Sequence, residues 1–189
     1  MTVFSTQSNP EPKPYRFTVE EFEKLEFSDP EARVELLDGE IFEMSPIGEN
    51  HAFETFKLQE ILDAASQKRY LIWNQNPIRL SNRSRPQPDL VLLEPPLKQY
   101  KGRLPEPAQI GLLVEVADSS LWYDRNKKLL RYASAGIIEV WILNLKANEL
   151  EVYREPSEDG YGMKQTLKAG QTVTPLCLGV ALNWWDDES

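Results

Sequence analysis

The sequence predicts an α/β (α+β) domain: a mixed β-sheet flanked by helices, with a β-hairpin added on its N-terminal side. Three observations carry this. The runs Asp89-Leu-Val-Leu-Leu93 and Leu112-Leu-Val-Glu-Val-Ala117 read as strands covered on both faces, because apolar residues occupy both alternating sets. Two longer stretches, His51 to about Lys68 and about Leu121 to Ala135, repeat apolar residues at helical spacing. Val34-Glu-Leu-Leu37 and Glu40-Ile-Phe-Glu-Met44 flank Asp38-Gly39, a dipeptide that suits a tight hairpin turn.

In chain order, Met1 to Arg16 is polar and holds Pro10, Pro12 and Pro14, so a mobile leader is expected over 1–16. One domain is expected over 17–185 and an acidic tail over 186–189. Thr18-Val-Glu-Glu21 has capping-box spacing and opens a short helix through about Leu25. The helix from His51 is expected to pack through Phe53, Phe56, Ile61, Leu62 and Ala65. Tyr70-Leu-Ile-Trp73 is a short strand, followed by a segment bearing Arg79, Arg83 and Arg85. Between the two apolar strands lies a long loop with four prolines and with Lys98, Lys101 and Arg103, a length more often functional or mobile than incidental. The helix from Leu121 ends at Gly136, which suits a left-handed cap. Ile138 to Leu143 is a strand, Leu150-Glu-Val-Tyr153 its hairpin partner, and a turn at Asp159 to Gly162 leads to another strand. Val180-Ala-Leu182 closes the chain.

Composition removes several classes of chemistry. The single cysteine, Cys177, excludes an intrachain disulfide and a Cys-rich zinc site, and is expected to pack as a small apolar residue. The single histidine, His51, excludes H-E-x-x-H and His-rich metal sites, and hydrolytic chemistry is expected to run on carboxylates, lysine and water. No apolar run approaches the ~18–20 residues of a membrane span, and no signal-peptide pattern opens the chain; a cytoplasmic protein is expected. The net charge of −9 argues against a polyanionic partner, but its distribution is compatible with one, with scattered solvated charge as the alternative. Residues 79–131 hold ten Lys+Arg against six Asp+Glu, or +4; the rest holds eleven against twenty-four, or −13.

Glu115 is the most informative residue, because alternation puts it with Leu113 and Ala117 on a covered face of its strand. A buried carboxylate costs several kcal/mol unless it is protonated, paired or metal-bound. Asp89 opens the preceding strand, and if the two strands pair antiparallel it lies beside Glu115. Two close carboxylates repel, and a shared hard cation, Mg²⁺ or Mn²⁺, relieves this. On a wheel of about 100° per residue, Lys128 falls between Ala135 and Leu121 on the packed arc, with Trp122, Leu129 and Ala133 further round it; Lys127 points to the wet side. Structural alternatives stay open for each: an ion pair or strand end for Glu115, a turn or cap for Asp89, a snorkelling stem for Lys128.

At these residues the chain resembles the PD-(D/E)XK superfamily and, within it, the Uma-type endonuclease family of restriction endonuclease-like proteins. The matching stretches are Glu35-Leu-Leu-Asp-Gly-Glu40, Pro46 with His51, Pro88-Asp89-Leu-Val91, Leu113-Val-Glu-Val-Ala-Asp-Ser-Ser120, and Asp124-Arg-Asn-Lys-Lys128 with Tyr132, Gly136 and Trp141. The likeness runs from about Phe17 to Leu150. It implies a restriction endonuclease-like fold, with Asp89 and Glu115 at the two acidic positions of the signature. Ala117 stands where E-x-K would place a lysine, and family members carry it on the following helix, at the position of Lys128. Glu35 and His51 match further positions of the family; a structural role for Glu35, and a packing or capping role for His51, stay open.

The function implied is a Mg²⁺-dependent endonuclease acting on DNA. Asp89, Glu115 and the main-chain carbonyl of Val116 would hold the metal, and Lys128 would assist. Lys98, Lys101, Arg103 and Arg125 are expected to contact the nucleic-acid backbone. Two cuts on a duplex favour a homodimer, with Trp184-Trp185 as contact surface. A catalytically inactive nuclease-like binding or regulatory module is the alternative, favoured by the net charge and by Ala117; hydrolysis of a small phosphoester is a third reading.

Overall fold

In a computed structural model the described residues are 12–29 and 31–185. Most of the expected leader and all of the acidic tail lie outside them. Tyr15 and Arg16, placed in the leader by sequence, belong to the domain: the Tyr15 hydroxyl donates to Glu21, and Arg16 pairs with Glu40 at 2.8 Å.

The helix α1 (Val19–Phe22) opens on Thr18, and both reciprocal bonds of the capping box form. The hairpin β1 (Val34–Leu37) and β2 (Glu40–Glu43) turns through Asp38 at φ 50° and Gly39 at φ 78°. Positive φ at both central positions is what a type I′ turn demands. A Cβ on Gly39 would also lie 2.8 Å from the Arg16 Cβ, so the turn tip is a close-packed joint with the N-terminal segment.

The main sheet has six strands in sequence order: β3 (Leu71–Asn74), β4 (Leu90–Leu93), β5 (Ile110–Ala117), β6 (Glu139–Asn144), β7 (Glu149–Ser157) and β8 (Gly160–Lys168). Only β5 and β6 are parallel, and the crossover a parallel pair requires is the helical segment between them. That segment runs as α3 (Leu121–Tyr123), a π-helical turn (Asp124–Lys128) and α4 (Leu129–Ser134), ending at Gly136 with φ 82°. The helix α2 (Glu49–Ser66) covers the other face. A short pair, β9 (Thr172–Val173) and β10 (Leu182–Asn183), completes the fold.

The apolar strands are buried on both faces, as expected. Leu112, Val114 and Val116 pack with Leu58 and Leu62 of α2 on one side; Leu113 and Ala117 pack with Tyr132 and Ile142 on the other. Cys177 lies against the α2-side core, and burial pushes its thiol up to about 11, so it is an unreactive packing residue.

Three packing expectations are corrected. Phe53 and Phe56 are 60% and 58% exposed, and α2 buries the stripe Thr55, Leu58, Leu62 and Ser66 instead. Trp122 is 65% exposed, because the π-turn after it rephases the helix. Trp184 is buried in the α2-side core and offers no contact surface.

Candidate active site

The register of β4 and β5 builds the site. Leu90 pairs with Val114 in antiparallel register, so Asp89 is carried to the position opposite Glu115. Asp89 Oδ2 accepts from the Val116 main-chain N–H at 2.8 Å and lies 3.2 Å from His51 Nε2, one turn into α2. Main-chain N–H and C=O of one strand residue face the same side. The Val116 carbonyl therefore faces the same edge, beyond the end of β4, whereas that of Ala117 faces β6 and accepts from Leu145 N–H at 3.0 Å.

Lys128 comes onto this edge from the π-turn. Its Nζ is 3.1 Å from Glu115 Oε1, 3.5 Å from Glu35 Oε2 and 3.7 Å from Asp124 Oδ1. The Tyr132 hydroxyl donates to the same Glu115 oxygen at 2.5 Å. Asp124, Lys128 and Tyr132 are spaced i, i+4, i+8, a series that drifts round a regular α-helix. The wider i→i+5 turn, closed by Leu129 N–H to Asp124 C=O, offsets the drift, so all three are buried on one face.

Glu35 joins from the hairpin. Its Oε1 accepts from the Tyr123 hydroxyl at 2.6 Å and its Oε2 from the Gln87 main-chain N–H at 3.2 Å. Four buried carboxylates, Glu35, Asp89, Glu115 and Asp124, thus face one buried ammonium. Burial pushes the Glu115 carboxyl well above the usual range, opposed by Lys128 and reinforced by Asp124 and Asp89. Burial alone would lower Lys128; Glu115, Glu35, Asp124 and Asp89 outweigh it and hold the ammonium well above the usual lysine range.

A cleft of about 420 Å³ opens onto this edge. Glu115, Asp89, Asp124, Lys128 and His51 line it, with Arg33 and the Asp118-Ser119-Ser120 turn. Asp89 Oδ1 and Glu115 Oε2 accept no hydrogen bond among the described residues, while their partner oxygens are saturated. Among those residues no three His, Cys, Asp or Glu side chains form a ready-made metal cage. Two single carboxylate oxygens and a main-chain carbonyl suit a hard cation that keeps several waters or phosphate oxygens, the habit of Mg²⁺.

The structure therefore brings together Asp89, Glu115, Val116, Lys128, Glu35 and His51, and does not bring the expected basic contacts to them. Lys98, Lys101 and Arg103 sit in the connection from the end of β4 to the start of β5, at the other end of both strands from Asp89. Arg125 is bound through Nε and Nη2 to Glu151 of β7, at 2.9 and 2.6 Å. Sequence reasoning missed Asp124, held by the Ser120 hydroxyl at 2.7 Å, although its i,i+4 spacing to Lys128 was a readable signal.

In architecture the chain is similar to a solved structure. The crystal structure of a putative nuclease belonging to DUF820 from Anabaena variabilis matches with a TM-score of 0.67 at 15% identity, over 89% of this chain and 95% of that one. A family model described as "Putative restriction endonuclease", Uma2, matches residues 19–185, and the chain belongs to the Uma2 family. No curated protein matches it. Among the described residues no helix is long and apolar enough to cross a membrane.

Proposed function

We propose that this chain is an endonuclease that hydrolyses phosphodiester bonds of DNA with Mg²⁺, or with Mn²⁺ in its place. One observation carries the reading: Asp89 and Glu115 each keep one unbonded oxygen on the cleft while Lys128 holds the other oxygen of Glu115. Asp89, Glu115 and the Val116 carbonyl would hold the metal, which when bound lowers the pKa of a water and neutralises charge on the phosphate.

The chain's own groups do the rest. Val116 N–H and His51 fix the Asp89 carboxylate so that Oδ1 faces outward. Tyr132 and Lys128 fix Glu115 in the same way. Lys128 also supplies the positive charge beside the nucleophile and the developing phosphorane charge, and Glu35 and Asp124 orient its ammonium. Two copies would present one site to each strand of a duplex, which sedimentation with and without DNA measures.

The test is supercoiled plasmid with Mg²⁺ or Mn²⁺. Wild type nicks or linearises it and Asp89→Ala does not; cleavage that survives the substitution belongs to a contaminant or another site. A binding or regulatory module without turnover is the second reading. It draws on the ring of three carboxylates already around Lys128, which closes as an ion-pair network without any ligand. Wild type that binds Mn²⁺ and leaves every substrate intact selects it.

A further inference from the structure

The cleft itself is acidic, and among the described residues Arg33 and Lys128, with His51, are the positive groups that line it. A second groove, of about 630 Å³, opens beside the hairpin turn and has the opposite character. Arg16, Arg83, Lys127 and Arg131 line it against Asp38 and Glu40, so four cations less two anions leave +2 on a chain whose net charge is −9. Two of the cations are held in place: Arg16 by Glu40 at 2.8 Å, and Arg131 by Asp38 at 2.6 Å and by the Lys127 carbonyl. The Arg83 guanidinium and the Lys127 ammonium meet no acidic partner among the described residues. The Ser81 hydroxyl and the Asn82 amide add neutral donors.

This groove and the cleft share two elements. Lys127 and Lys128 are neighbours in the π-turn, Lys128 turned inward to Glu115 and Lys127 outward to the groove. The hairpin is common to both as well, through Glu35 in the site and Asp38 and Glu40 at the turn. Among the described residues no aromatic ring lines the groove, which gives an unpaired base no platform to stack on there. Fixed guanidiniums with hydroxyl and amide donors are groups that contact phosphate oxygens without reading sequence.

We infer that this groove is the surface that grips the phosphate backbone of duplex DNA next to the cleaved bond, with Arg83 and Lys127 as its two uncommitted phosphate contacts. The choice of DNA rests on the endonuclease reading; the location rests on the charge and geometry of the groove. It replaces the basic 94–109 loop, which lies at the far end of the sheet.

The experiment is binding of a short labelled duplex by fluorescence anisotropy in EDTA, across a salt series, so that binding is read without cleavage. Arg83→Ala/Lys127→Ala, which breaks no ion pair and whose fold is checked by circular dichroism, is expected to weaken binding about tenfold. It is also expected to lower the slope of log K against log salt by roughly 1.8, two contacts at ~0.9 each. Lys98→Ala/Lys101→Ala is expected to keep wild-type affinity and slope. Unchanged binding in the first variant, equal loss in the second, no binding by wild type, or stronger competition by single strands or duplex RNA would each overturn the inference. Wild type that binds through Arg83 and Lys127 but never cleaves supports the groove and removes the endonuclease reading; cleavage with binding indifferent to both residues does the reverse.

Discussion

Lys128 Nζ lies 3.1 Å from Glu115 Oε1 although the two residues stand 13 apart in the chain. A lysine at the E-x-K position would occupy the place of Ala117, which is buried in the apolar core between the sheet and the crossover helix. The crossover delivers the ammonium instead, from a helix that must return over β5 to begin the parallel strand β6. The charge reaches the same carboxylate by another path, and Ala117 goes on filling the core.

Glu115→Gln separates chemistry from fold. Glu35 and Asp124 stay beside the Lys128 ammonium when Glu115 becomes a neutral isostere, and the Tyr132 hydroxyl still has an oxygen to donate to, so the substitution costs little. Stability by urea denaturation is expected to change by less than about 1 kcal/mol, while plasmid cleavage falls by roughly 10²–10³, a transition-state loss of ~2.7–4 kcal/mol.

Lys128→Met does the opposite to the fold. It strands Glu35, Glu115 and Asp124, which have no other ion-pair partner among the described residues, in a buried site. Removing one partner from a buried ionic cluster costs about 3–5 kcal/mol, so the urea midpoint at pH 7 is expected to fall by that equivalent.

Glu151 links stability to pH. Burial would raise its carboxyl, but Arg125, Lys164 and Tyr153 donate to it and hold it below the ordinary 4.5. A depressed carboxylate contributes stability above its unfolded pKa and loses that contribution as pH falls through the folded value. Glu151→Gln is expected to cost about 1.5–3 kcal/mol at pH 7, as hydrogen bonds to a charged group do. The gap to wild type should narrow as pH drops below 4.5. A double-mutant cycle with Arg125→Ala should show a coupling of roughly 0.5–3 kcal/mol, and wild-type duplex binding in the single Arg125 variant.

Much of the site was legible in the sequence because it depends on strand direction and burial. An acid inside Leu-Leu-Val-Glu-Val-Ala, and a second at the start of an antiparallel neighbour, must meet. The same reasoning excludes the basic loop: if the start of β4 lies beside the end of β5, the loop joining the end of β4 to the start of β5 leaves from the other end. The α2 face was less readable, since Phe53 and Phe56 outweigh Thr55 and Ser66 in any apolar pattern, yet the helix's docking on β5 and β10 decides which side is buried. The π-turn left no sequence mark beyond the i,i+4 series of Asp124, Lys128 and Tyr132.

Asp89 and Glu115 are expected to share one divalent cation. Calorimetric titration of Mn²⁺ into the purified chain at neutral pH tests it most directly, beside Glu115→Gln. One Mn²⁺ per chain is expected in wild type, with loss of that binding in the variant. No binding to wild type, or binding that Glu115→Gln leaves unchanged, would contradict it.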